Sequence, residues 1–174
     1  MPPISLLPDC SRCASLCCVM LAFDKSNKFA IDKEAGEPCP NLAANGLCKI
    51  HDTLDDRGFG GCIQFNCHGA GQRVTQEVFG GKSWQQDISL LRPMSEAFRP
   101  MRQIHELLQL LEVSEKLPLS KEDKLKHFNL VQALTPPEGW TPASLTAFEK
   151  GPLREETMSF FSSLNNYVSR EKMG

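Results

Sequence analysis

No cysteine occurs in residues 68–174, although the chain of 174 residues holds 8 of them, all between Cys10 and Cys67. No apolar run approaches the roughly 20 residues a membrane span needs, so a transmembrane protein is not expected. The start, "MPPISLLPDC", has neither a positive n-region nor an apolar h-region and does not read as a signal peptide. Charge of one sign is also missing: the net charge is -2, with 8 Lys+Arg against 9 Asp+Glu in residues 1–84 and 11 against 12 in residues 85–174. That balance argues against a nucleic-acid groove and against an anionic membrane surface. Neither an internal repeat nor a low-complexity tract is present. With 41% hydrophobic and 23% charged residues, the chain reads as a globular, cytoplasmic protein.

Several catalytic contexts are absent as well. "GAGQRVTQEVFGG" lacks the Gly-Lys-Ser/Thr of a phosphate loop, so Gly69 and Gly71 read as a tight turn that lets the chain approach the cysteine region. Gln72 and Arg73 remain weak candidates for a polar pocket. No βαβ pattern surrounds Cys10 and Cys13, which argues against a thioredoxin-like pair. Cys67 and His68 are adjacent in sequence, but a nucleophile and its base must meet in space. Asp55 with Asp56, and Glu155 with Glu156, read as solvated faces. The sequence leans against an enzyme, and no catalytic residue is assigned.

What is present is a dense set of thiols. "DCSRCASLCCVM" supplies Cys10, Cys13, Cys17 and Cys18; Cys39, Cys48, Cys62 and Cys67 follow. In a reducing compartment such density points to metal or redox chemistry rather than to disulfides. Cys-x2-Cys is a recurrent metal half-site, because a two-residue turn brings both sulfurs to one ion. Cys48-x2-His51 has the same reach with an imidazole. Two tetrahedral zinc sites would use about eight of the ten candidate ligands, His51 and His68 included. Cys17 and Cys18 could bridge two metals, serve two sites, or give one ligand and one core thiol. Four thiols could equally hold an iron–sulfur cluster. Two zinc ions on eight thiolates leave a formal charge of about −4, which Arg12, Lys25, Lys28, Lys33 and Lys49 could partly offset.

The expected fold is mainly α, in two parts. Residues 1–84 form an irregular, metal-stabilised cysteine-rich module broken by Gly36, Pro38, Pro40, Gly46, Gly58, Gly60 and Gly61. Residues 85–174 form a small helical bundle packing on it. One helical stripe is Phe98, Met101, Ile104, His105, Leu108 and Leu111. Ser120 and Asp123 start a second helix, with Leu125, Phe128, Val131 and Leu134 as its apolar face. Thr141 and Pro142 open a third. Gly151 and Pro152 close it and begin a last helix that buries Met158, Phe161, Leu164 and Val168. His105 and His127 read as structural.

The order "CSRCASLCC … GEPCPNLAANGLCKIHD … GFGGCIQFNCHGAG" resembles the zinc- or iron-chelating cysteine-cluster domains of the YkgJ-like group. The similarity runs over residues 9–84 and is nearest to a branch found in some bacterial pentapeptide-repeat proteins. The resemblance implies that the eight cysteines are the ligand set and supplies no reaction. This chain departs from the group in having no pentapeptide repeats and in placing "IHD" where many relatives carry an aromatic. That makes His51 an extra candidate ligand. The expected function is zinc binding at one or two sites, in a structural or partner-binding role, with any protein partner docking on the C-terminal helices. The alternatives are an iron–sulfur redox protein or enzyme, and a metal store or chaperone favouring soft ions such as Cu(I).

Overall fold

A computed structural model describes residues 4–167. The protein is mainly helical, and the described residues contain no strand, only the isolated bridges Phe23–Lys33 and Leu42–Cys48. None of their helices is long and apolar enough to cross a membrane. Three short helices lie in the first half: α1 (Leu16–Met20), α2 (Gly60–Gln64) and α3 (Ala70–Arg73), which runs on into a π-helical turn at Val74–Val78. Four longer ones follow: α4 (Leu91–Ser114), α5 (Lys121–Leu134), α6 (Pro142–Lys150) and α7 (Leu153–Ser163).

The 24-residue α4 is the axis of the molecule. Phe98, Met101, Ile104, His105, Leu108 and Leu111 recur at helical spacing and are all buried. Pro100, inside the helix, has no N–H for the Glu96 carbonyl and is itself fully buried. The helix starts follow their local chemistry. Ser120 Oγ accepts from the Asp123 N–H at 3.1 Å, and Thr141 forms a capping box with Ser144 ahead of Pro142. Gly151 ends α6, and Pro152 precedes α7.

Two apolar faces sit differently from the sequence expectation. On α5 only Leu134 is buried, with Leu130 and Val131 packed against the core, while Leu125 and Phe128 are 61% and 57% exposed. The seam is shared with a polar residue: His127 Nε2 donates to the Leu111 carbonyl at 2.9 Å, and its ring meets Phe160 edge-on. That rotates the helix away from Leu125. On α7 the buried side chains are Thr157 and Phe160, followed by Leu164; Phe161 packs against the core as expected, and Met158 is 44% exposed. Thr157 satisfies its hydroxyl on the Leu153 carbonyl at 2.7 Å, which lets a polar residue take a core position. Val168 lies outside the described residues.

One buried cluster joins both halves. Ala14, Leu16, Val19, Ala70, Val74 and Trp84 pack with the α4 face and with Leu145, Phe148 and Phe160. The cysteine-bearing segment therefore rests on α4 through α1 and α3.

Candidate metal centre

The first four cysteines are placed by a clamped turn. Asp9 caps the 3-10 turn Cys10–Arg12, its carboxylate accepting from the Ser11 N–H at 3.0 Å, and the Cys13 N–H closes the turn on the Cys10 carbonyl at 3.3 Å. Ala14 is held at both ends: its N–H donates to Thr75 Oγ1 at 2.9 Å and its carbonyl accepts from Trp84 Nε1 at 2.6 Å. Ser15 adopts the left-handed region (φ 59°), uncommon for a residue with a Cβ, and turns the chain into α1, which carries Cys17 and Cys18. Its hydroxyl donates to the Gly46 carbonyl, linking this turn to the middle loop.

Cys67 arrives from the other side, just before α3. The Ala70 N–H donates to the Cys67 carbonyl at 2.9 Å, and His68 (φ 49°) with Gly69 (φ 81°) makes the reversal. This reversal is tied to α4 by the buried His105, whose Nδ1–H donates to the His68 carbonyl at 2.5 Å while Nε2 accepts from Arg73 Nη1 at 3.4 Å. Burial lowers the His105 pKa to about 4, so the imidazole is neutral and its two nitrogens play opposite roles. Arg73, itself buried, is neutralised by Glu77 at 2.9 Å. Gly71 then passes the thiols so closely that a Cβ on it would stand 2.6 Å from Cys13 Sγ. The result is a cavity lined by Cys10, Cys13, Cys17 and Cys67 together with Gly71 and Phe98. It offers about 20 Å³, room for one water-sized occupant and no organic substrate.

The other four cysteines lie on the loop side. The Cys39 N–H donates to the Cys18 carbonyl at 2.9 Å, the Leu42 N–H returns to the Cys39 carbonyl at 2.9 Å, and the Leu42–Cys48 bridge brings Cys48 alongside. Cys62 rides on α2, which is positioned by a small aromatic group. Phe23 stacks on Phe29 with ring centroids 4.2 Å apart and meets Phe59 edge-on, and Gly61 lies flat on the Phe29 ring, leaving no room for a Cβ. Beside this set lies Lys33, a buried ammonium whose Nζ donates to the carbonyls of Val19 (2.9 Å), Leu21 (2.7 Å) and Glu34 (3.0 Å). All three of its protons are used by the backbone, so its charge is fixed in place.

The electrostatics place all eight thiols in one neighbourhood. Burial pushes the Cys13 and Cys62 thiols up to about 11 and raises Cys10 and Cys48 as well. Cys18 shifts the other way. The Cys17 and Cys18 sulfurs are 3.9 Å apart, and hydrogen bonding from Cys17, aided by the Lys33 charge, lowers the Cys18 thiol to about 7. Cys10, Cys48 and Cys62 all feel the Cys18 sulfur, Cys48 and Cys62 feel Cys39, and Cys10, Cys13 and Cys17 feel Cys67. Even so, among the described residues no three Cys, His, Asp or Glu side chains converge closely enough to form a metal-ligand group. All eight thiols are free and unpaired by disulfides.

His51 follows Cys48 closely, its N–H donating to the Cys48 carbonyl at 3.4 Å. It opens the 3-10 turn His51–Thr53, is exposed, and faces Asp52 Oδ1 at 3.5 Å. Gln72 does border the thiol cavity, where its Oε1 accepts from the Asp9 N–H and its Nε2 donates to the Leu7 carbonyl at 3.0 Å. Of the five cations near the cysteines in sequence, Lys33 alone is buried. Nothing in "IDKEAG" marks it out, because its role depends on which carbonyls the fold turns toward it.

Among known proteins the chain is similar to the uncharacterized protein YybG of Bacillus subtilis (strain 168). The two are 41% identical over 116 residues, which is 67% of this chain and 42% of the relative. The matched region thus spans well under half of that protein's length. No family model matches, and no solved structure matches.

Proposed function

We propose that this protein binds metal, zinc by preference, through its eight cysteines, in a structural or partner-binding role in a reducing, cytoplasmic setting. The observation that carries the reading is the cavity in which Cys10, Cys13, Cys17 and Cys67 surround room for a single small occupant. The donor chemistry agrees: thiolate sets suit zinc, Cu(I) or iron–sulfur clusters far better than magnesium or calcium. The fixed Lys33 ammonium lies where clustered thiolates would otherwise repel one another. Zinc bound to these thiols would cross-link loops that have little apolar surface of their own and would supply no redox chemistry. His51, exposed beside Asp52, is a further candidate ligand next to the eight cysteines.

The test is metal content with a visible spectrum, on protein purified without oxygen and without added metal. Zinc at one to two equivalents per chain with no visible absorbance is the expected result. Iron with matching sulfide and a broad band near about 400 nm would replace zinc by an iron–sulfur cluster on the same thiols. A chain that binds neither, and takes up neither on reconstitution, would remove the metal reading altogether.

A further inference from the structure

The thiol cluster is not uniform, and the difference follows the fold. Cys13, Cys17 and Cys67 pack against the hydrophobic core, whereas Cys18, Cys39, Cys48 and Cys62 do not. Cys10, Cys13, Cys17 and Cys67 line one cavity, and none of the other four reaches it. Cys18, Cys39 and Cys48 are instead joined by loop contacts, the Cys39–Cys18 backbone hydrogen bond and the Leu42–Cys48 bridge, and Cys62, on the separately docked α2, feels the sulfurs of all three. The division falls inside the Cys17–Cys18 pair, whose sulfurs are 3.9 Å apart and of which only Cys17 lines the cavity.

We propose that on binding metal the eight cysteines close into two four-sulfur centres, an inner one of Cys10, Cys13, Cys17 and Cys67 anchored on the core and an outer one of Cys18, Cys39, Cys48 and Cys62 beside Lys33, and that metal is exchanged at the outer centre. This rests on the metal-binding reading above and adds its division of labour. Opening the inner centre requires displacing the turn at Ala14 that Thr75 and Trp84 clamp, or the reversal at His68 that His105 ties to α4. Opening the outer centre requires only the movement of loops and of the five-residue α2, and Cys62 is already exposed. Local openings of this kind have low free energy where few apolar contacts are lost. Cys10, though exposed and within electrostatic reach of Cys18 and Cys48, belongs to the inner set because it lines the cavity.

Zinc-loaded protein, mixed with a chromogenic chelator in excess, should release about two equivalents in two phases, one per tetrahedral site. Cys48→Ser and Cys62→Ser should each retain one equivalent and lose the fast phase, with the helical circular dichroism unchanged. Gly71→Ala, which presses a methyl against Cys13 Sγ without removing a ligand, should speed the slow phase by about tenfold or more and leave the fast phase alone. Loss of both equivalents in Cys48→Ser, or a fast phase sped by Gly71→Ala, would overturn the division and indicate one cluster with shared sulfurs. Two equivalents leaving the wild type in a single phase would do the same while leaving the metal reading intact. A wild type that binds no zinc would remove both.

Discussion

The two halves of this molecule hold their shape by different means. Residues 91–163 form four helices whose burial of Met94, Met101, Ile104, Leu111, Leu134 and Leu145 needs nothing beyond the chain itself. Residues 9–68 bury Ala14, Leu16, Val19 and Phe59 but have only two short α-helices, two 3-10 turns and two isolated bridges. Their order comes from clamps: Thr75 and Trp84 on Ala14, Lys33 on three carbonyls, Cys39 on Cys18. A segment with so little apolar area gains stability from cross-links, and eight thiols in one neighbourhood are the means at hand.

If the cysteine half holds metal as proposed, its removal is the largest break that can be made between the halves. Chelation under anaerobic conditions should cost the cysteine half on the order of 10 kcal/mol. Amide exchange is then expected to become fast over residues 10–67 and to stay slow in α4–α7. The mirror experiment is Leu111→Ala, a deletion at a fully buried position of α4. It should destabilise the helical half by about 2–5 kcal/mol in urea titration and leave metal content unchanged. If chelation unfolds both halves together, they are one cooperative unit and the contrast is wrong.

The junction between the halves tests the comparison next. His105 is fully buried on α4 and holds the His68 carbonyl, one residue past Cys67. Its folded pKa, about 4, lies below the unfolded value near 6.5. Between those values the unfolded chain takes up a proton that the folded protein refuses. Stability should therefore be complete above pH 6.5 and fall as pH drops toward 4, by about 1.4 kcal/mol per unit. Acid also protonates thiolates, so the measurement is the difference between the wild type and His105→Gln. The variant should lack this slice of acid sensitivity, and parallel curves would place the acid response elsewhere.

How much was legible in the sequence depended on whether the signal lay along the chain or across it. The α4 face could be read because apolar residues recur every third or fourth position, and the caps at Ser120 and Thr141 because their partners are three residues away. The faces of α5 and α7 were misplaced in part, at Leu125, Phe128 and Met158, because His127 and Thr157 occupy seams that an apolar pattern cannot register. The cysteine spacings marked a cluster but could not sort it. Cys17 lines the cavity and its sequence neighbour Cys18 does not, while Cys10 and Cys67, far apart in the chain, share it. Lys33 looked like any of five nearby cations until three carbonyls were seen around it.

The smallest expected effect concerns the α5 face whose apolar pattern pointed to the core. If α5 is held by Leu130, Val131 and Leu134, then Leu125 and Phe128 contribute little to the fold. Gln keeps helix propensity close to that of Leu, so Leu125→Gln with Phe128→Gln isolates the loss of apolar surface. The double variant should change the stability of the dilute protein by no more than about 0.5 kcal/mol per site. It should also reduce self-association at high concentration, if these exposed side chains meet anything there. A loss of about 2 kcal/mol or more per site in urea titration would mean that both side chains are covered as fully as core residues are. In that case α5 would have to be turned about its own axis, with Leu125 and Phe128 facing α4 and α7, and the helical half would bury more apolar surface than Leu130, Val131 and Leu134 supply.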